Sequence, residues 1–300
     1  MAADDPVAAE ESARFGSEQS GAPTARRIVL GAQLRRLREA ADITRADAGY
    51  AIRGSDSKIS RMELGRVGFK ERDVVDLLTM YGVSDEDERR VFLEMVRKSN
   101  ERGWWHRYTG TMPNWFHDFV GLEESASLIQ SYELQFVPGL LQTEAYIRAV
   151  ISHGRPDLIT ADGERRVQLR LQRQKVLTRQ TAPRLWAVVD EAVLHRPIGG
   201  PRTQREQIEH LLELTRQPNI TVQVLPYEQS GYAAEGAFSM LRFAEPSLPD
   251  VVYVEHLAGA LYLDRPEEIE LYSRVLDRLA VDAESPDRSR QLLSKIRAAI

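Results

Sequence analysis

Between Thr24 and Ser99 the apolar residues fall into five short blocks at helical spacing, and this pattern constrains the fold more than any other feature of the chain. Ile28, Leu30, Leu34 and Leu37 make one stripe, followed by Ile43. Thr44 is placed to cap a helix of about Arg45–Ile52, and Ser55 to cap one of about Asp56–Leu64. Gly65 and Gly68 end that block. Val74, Leu77, Leu78 and Tyr81 predict a helix over Glu71–Tyr81, and Gly82 separates it from Asp85–Ser99, built on Val91, Phe92, Met95 and Val96. Helices this short, joined this tightly, bury their stripes only against one another. Residues 24–100 are therefore expected to form a small all-α domain.

The rest of the chain reads differently. Residues 1–23 hold five acidic residues against Arg14 and show no sustained period, the texture of a disordered acidic leader. Residues 101–120, within which Gly103–Phe119 is rich in aromatics and irregular, read as a junction. Helical signals resume at 123–133, 140–152 and 162–180. Strand-like runs then appear for the first time, at Leu185–Val189, Ile220–Leu225, Phe238–Phe243, Val251–His256 and Ala260–Leu263, with Gly259 marking a hairpin. Helices at 203–216, 267–281 and 287–299 separate or follow them. Residues 121–300 are thus expected to be an α+β domain with a mostly antiparallel sheet.

Net charge of −5 argues against a polyanion partner until it is divided along the chain. Residues 24–83 hold twelve Lys or Arg against eight Asp or Glu, a basic segment between acidic neighbours. With no cysteine, disulfides, thiolate metal sites and cysteine nucleophiles are excluded. No apolar run approaches the ~20 residues of a membrane span, and the start lacks a signal pattern, so a cytoplasmic, soluble protein is expected.

Residues 44–64 have the spacing of a helix-turn-helix. Two helices that cross closely need a small residue at the crossing, and Gly49 supplies it. The second helix must leave one face bare, because the major groove is about as wide as a helix is thick. Ile59 and Met62, at i and i+3, should face the core. Asp56, Ser57, Lys58, Ser60 and Arg61 then surround the outer face, with Ser57 and Arg61 in one i, i+4 row. A guanidinium pairs with O6 and N7 of guanine together, so Arg61 is the strongest base-reading candidate. Arg45 brings charge to a helix start, where backbone N–H groups favour phosphate.

Leu34-x-x-Leu37-Arg38, Ile43-Thr44-Arg45 and Ser57-Lys58-Ile59-Ser60-Arg61-Met62-Glu63-x-Gly65 resemble the Xre/Cro/CI, lambda-repressor-like DNA-binding domain over about residues 28–83. The resemblance implies phosphate gripping by Arg45 and DNA contacts among Ser55, Asp56, Ser57, Lys58, Ser60 and Arg61. It also implies a structural pair between Arg38 and Glu63. Two departures stand out: Arg45 replaces the usual Gln, and Arg53 occupies the usual turn glycine with Gly54 one place later, so a different turn geometry is expected. Asp56, uncomfortable beside phosphate, is expected to cap the helix or accept from cytosine. Gly103-Trp104-Trp105, Val137 to Thr143, Asp190 to Leu194, Gly199-Gly200 and Val252 to Glu255 resemble the C-terminal domain of actinobacterial WhiJ-type, antitoxin-like regulators. That family implies transcription control and a small partner protein.

Other clusters carry bland and sharp readings. Trp104, Trp105 and Tyr108 are either a base-stacking platform or packing between domains, the latter favoured. Arg166, Arg170 and Arg173 form an i, i+4, i+7 stripe, read as a solvated face ahead of a surface for DNA or an acidic partner. Glu191 and His195, with Glu255 and His256, have metal-ligand chemistry but no HExxH spacing, and no Walker loop, GxGxxG or GxSxG occurs. No catalytic residue, metal or cofactor is expected. The expectation is a sequence-specific transcription regulator, a repressor, binding a near-palindromic operator in double-stranded DNA as a homodimer, because one such helix reads only a few base pairs. Its C-terminal domain would answer to a small protein partner or a ligand. The alternative makes that domain an antitoxin-like interaction or ligand-sensing module with DNA binding secondary.

Overall fold

The computed structural model describes residues 23–154, 161–229, 236–246 and 248–300. The acidic leader expected over 1–23 lies, apart from Pro23, outside them. The chain divides into two compact units between Gly103 and Trp104.

Among the described residues the first unit holds five helices: α1 (Pro23–Ala40), α2 (Arg45–Ala51), α3 (Asp56–Glu63), α4 (Glu71–Met80) and α5 (Glu86–Asn100). The starts of α2, α3 and α5 are capped by side chains, while Lys70 before α4 makes no such bond. The backbone N–H of Asp47 donates to Thr44 Oγ1 at 3.1 Å, that of Lys58 to Ser55 Oγ at 3.2 Å, and that of Glu88 to Asp85 Oδ1 at 2.7 Å. The ends of α1 to α4 share one device: a residue in the left-handed conformation, flanked by N–H groups that turn back to carbonyls three and five residues earlier. Gly65 and Gly82 occupy that position after α3 and α4, but Asp42 and Arg53 occupy it after α1 and α2, at φ 54° and 51°. The glycine one place after Arg53 therefore did not move the turn. Arg53 adopts the left-handed geometry itself, at the cost an L side chain incurs there.

Inside this unit Leu30, Ile59, Leu77, Leu78 and Val96 are almost fully buried. A Cβ on Gly31 would lie 2.6 Å from the Glu63 carbonyl oxygen, and one on Gly49 2.9 Å from the Ser55 carbonyl carbon. Those two glycines let α1 and α2 approach the backbone at either end of α3.

The second unit is α+β. Its six-stranded mixed sheet has the order β3-β2-β1-β4-β5-β6, with β1 (Leu128–Glu133), β2 (Arg184–Asp190), β3 (Ile220–Leu225), β4 (Phe238–Arg242), β5 (Val251–His256) and β6 (Gly259–Leu263). β1 pairs parallel with β2, and β2 with β3; the β1–β4, β4–β5 and β5–β6 pairs are antiparallel. The hairpin expected over 251–263 is present. β1, however, lies in the segment expected to be helical at 123–133. It is the central strand where the parallel and antiparallel halves meet, and its four inner residues are buried on both faces, which erases the alternation that marks a half-exposed strand.

The unit also holds helices α6 (Asn114–Ser125), α7 (Glu144–Gly154), α8 (Ala161–Gln174), α9 (Glu191–His195), α10 (Pro201–Leu214), α11 (Pro266–Asp282) and α12 (Pro286–Ala299). α6 falls partly in the stretch expected to be irregular. Trp104, Trp105 and Tyr108 also belong here, on a 3₁₀ turn at Trp104–Tyr108: Trp105 and Tyr108 are buried, and Trp104 Nε1 donates to Glu124 Oε2 at 3.2 Å. Rings engaged this way are not a free stacking platform. One sheet face, carrying Tyr132, Phe238, Met240 and Val252, packs against Leu276 and Leu279 of α11.

Candidate nucleic-acid interface

The helix expected to read DNA is held in place by a buried ion pair. Arg38 on α1 donates from Nε to Glu63 Oε1 at 2.6 Å and from Nη2 to Glu63 Oε2 at 3.2 Å, so the contact anticipated between first and third helices is there. The two side chains are only 8% and 4% exposed. Hydrogen bonding to Glu63 outweighs burial and raises the Arg38 pKa above its ordinary value, so the guanidinium stays charged. Arg38 Nη1 also donates to the Ile43 carbonyl at 2.8 Å, which fastens the α1–α2 turn to the same guanidinium. Three elements that must keep register for α3 to be presented thus meet at one charge pair.

α3 then sorts its residues as the pattern required: Ile59 and Met62 are buried, Asp56, Ser57 and Arg61 are exposed, and Lys58 and Ser60 are intermediate. Ser57 and Arg61 are linked along their row, Arg61 Nε donating to the Ser57 carbonyl at 3.3 Å. Arg61 makes no ion pair among the described residues. Its neighbours are less free than the sequence suggested. Lys58 Nζ lies 2.6 Å from Asp73 Oδ2 on α4, so that ammonium ties α3 to α4. Ser55 Oγ accepts the first-turn N–H and is the helix cap; Asp56 sits exposed in the first turn beyond it. Arg45 Nε donates to Glu63 Oε2 at 3.3 Å, with 40% of its side chain exposed.

Sequence reasoning passed over two further features of this surface. Tyr50 on α2 is 88% exposed, a large amphipathic ring in open solvent. Arg53, Arg66 and Lys70 are exposed in the turns that flank α3 and make no ion pair among the described residues. Nothing in their local pattern signals this, because exposure of a turn cation depends on which acids the fold brings near.

Glu191 and His195 are hydrogen-bonded to each other at 3.1 Å, and Glu191 Oε2 also accepts from the Tyr227 backbone N–H. His256 Nδ1 accepts from the Ala258 N–H. Among the described residues no group of three or more His, Cys, Asp or Glu is arranged to hold a metal ion, and no helix is long and apolar enough to cross a membrane.

Residues 29–92 match the family described as a helix-turn-helix domain. With the geometry above, this defines the class: a helix-turn-helix DNA-binding regulator. Residues 116–295, more than half of the chain, match the family described as a domain of unknown function, DUF5753, and the chain belongs to that family. No curated protein and no solved structure matches the chain.

Proposed function

We propose that the chain is a sequence-specific transcription regulator of the Xre, lambda-repressor-like kind, binding a near-palindromic operator as a homodimer and acting as a repressor. The observation that carries this reading is the pinned α3, which buries Ile59 and Met62 while holding Ser57 and Arg61 outward on one row. Arg61 reads a guanine edge. Arg45, with the exposed cations around α3, holds phosphate. Lys58 acts chiefly through Asp73, so its contribution to base reading is smaller than its position in the motif suggests.

The test is selection of bound sequences by the full chain from random DNA, then titration of the selected site. Selection should return a two-fold related pair of half-sites about 10 base pairs apart. Arg61→Ala should lose about 1–3 kcal/mol of discrimination at one base position, while Arg45→Ala should weaken binding to all sequences alike and lower the salt slope by about one. An Arg61→Ala protein with its operator preference intact would defeat the assignment of the reading helix.

The C-terminal domain supplies control in this reading. It carries a cavity of about 470 Å³, a volume within the range of small-molecule sites, and this favours a ligand as the signal over the small partner protein or antitoxin-like role that the WhiJ-type resemblance implies.

A further inference from the structure

The cavity lies wholly within the second unit, between the sheet and the helices α6 and α8. The pleat sends Ile129, Ser131 and Glu133 of β1 and Tyr253 and Glu255 of β5 to the same face, and these form its floor. Arg166, Arg170 and Arg173, the stripe expected to be solvated, line it from α8. The stripe faces inward because α8 packs across this region with its Leu169 and Val167 buried alongside.

The three arginines are not equivalent. Arg173 is matched: Nε and Nη2 each donate to Glu123 at 2.8 Å, and its guanidinium lies 4.8 Å from the Phe116 ring centre. Among the described residues Arg170 makes a single hydrogen bond, from Nη1 to Gln142 Oε1 at 3.2 Å, and Arg166 Nε is buried with no partner. Neither forms an ion pair among the described residues. Burial, then the neighbouring Arg173 charge, pulls the Arg170 pKa down to about 10, so its charge is held at a cost. Burial first and Glu255 second push the Glu133 carboxyl up to about 8, which leaves it mostly protonated at neutral pH. Thr111 Oγ1 and Ser131 Oγ line the same space without a hydrogen-bond partner among the described residues, although their residues are only 1% and 4% exposed. Buried polar groups are nearly always satisfied, so two unmet hydroxyls beside two unmatched guanidiniums mark a place built for a polar occupant.

We infer that this cavity binds a small amphipathic organic anion, its carboxylate or other anionic head held by Arg166 and Arg170 with Thr111 and Ser131, and its apolar body against Met112, Phe116 and Leu169. Glu255 on the floor offsets part of the charge of Arg166 and Arg170, and the anion matches what remains. Protonated Glu133 adds a hydrogen-bond donor without repelling it. The inference deepens the proposal that the second domain answers to a ligand.

The test uses the full chain, without DNA, titrated calorimetrically with octanoate and phenylacetate and with their uncharged amides, octanamide and phenylacetamide. At least one acid should bind, and its amide at least about tenfold more weakly, the usual consequence of losing a charge-assisted contact. Arg170→Gln and Arg166→Gln should each weaken the acid by a similar factor. Thr111→Val and Ser131→Ala, which remove only an unpaired hydroxyl, should weaken it severalfold and serve if an arginine variant does not fold. Arg202→Gln, on the exposed start of α10, should change nothing. Binding by neither acid, equal binding of acid and amide, or indifference to both hydroxyl substitutions and both arginine substitutions would overturn the inference. Repeating the operator titration with the bound acid separates the two proposals: an acid that binds but leaves operator affinity unchanged keeps the site and removes only its control of DNA.

Discussion

Two helices in this protein carry basic rows that look alike in the sequence and differ in the fold. On α3 the row is Ser57 and Arg61; on α8 it is Arg166, Arg170 and Arg173. The first stands in solvent, where a lone guanidinium is well hydrated and free to meet a partner. The second is turned inward, where the same group must be matched, as Arg173 is by Glu123, or carry a desolvation cost, as Arg170 does. An i, i+4, i+7 spacing shows that cations share a helix face. It does not show whether that face meets water, and each row works for the opposite reason: α3 because nothing covers it, α8 because the sheet does.

Arg173→Met tests this contrast with the largest effect. It strands Glu123 in a site where its side chain is 4% exposed, and the second domain should lose about 3–5 kcal/mol of unfolding free energy. All four tryptophans lie in that domain, so their fluorescence in urea reports it separately from the first. Arg61→Ala, by contrast, should move stability by no more than about 0.5 kcal/mol. A loss below about 1 kcal/mol for Arg173→Met would make the two rows energetically alike and dissolve the distinction.

Glu133 sharpens it on the acid side. Its folded pKa, about 8, lies above the unfolded value near 4.5, so the native state binds the extra proton between those limits. Stability of the second domain should therefore fall as pH rises from about 4.5 to 8. Glu133→Gln should abolish that slope, with little change at pH 5 and a gain on the order of 1–2 kcal/mol at pH 9. Parallel thermal-melting curves for the two proteins from pH 5 to 9 would contradict the assignment.

The smallest effect concerns the frame that presents α3. Arg53 holds a left-handed position that glycine adopts freely, so Arg53→Gly should stabilise the α2–α3 region by about 1 kcal/mol. Slower native-state amide exchange in α2 and α3 of the full chain is the expected sign. Unchanged or faster exchange would show that the arginine side chain stabilises the turn by more than the strain costs.

The helical half was legible because its signals are local. Thr44, Ser55 and the apolar spacing between them locate α2 and α3 to within a residue, since a cap and a 3.6-residue period act over one or two turns. The Arg38–Glu63 pair was legible only through family resemblance, as the two residues are 25 apart in sequence. Gly31 went unnoticed: a glycine inside an 18-residue helix gives no sign that another backbone lies against it. In the second domain β2 to β6 could be read from their β-branched and aromatic runs. β1 could not, because Leu128–Glu133 has neither an exposed face to set an alternation nor a turn residue to bound it.

From its residues alone this chain settled which segments of the first unit coil, where α2 and α3 are capped and which face of α3 holds the serine and arginine, because each of these follows from interactions a few positions apart. Only the folded arrangement decided that Lys58 would be drawn to Asp73, that Glu123 would neutralise Arg173 and leave Arg170 unmatched, and that Thr111 and Ser131 would face the same enclosed space. Those outcomes depend on residues brought together from distant parts of the chain, and the balance between hydration and burial that sets their chemistry does not exist until the chain has packed.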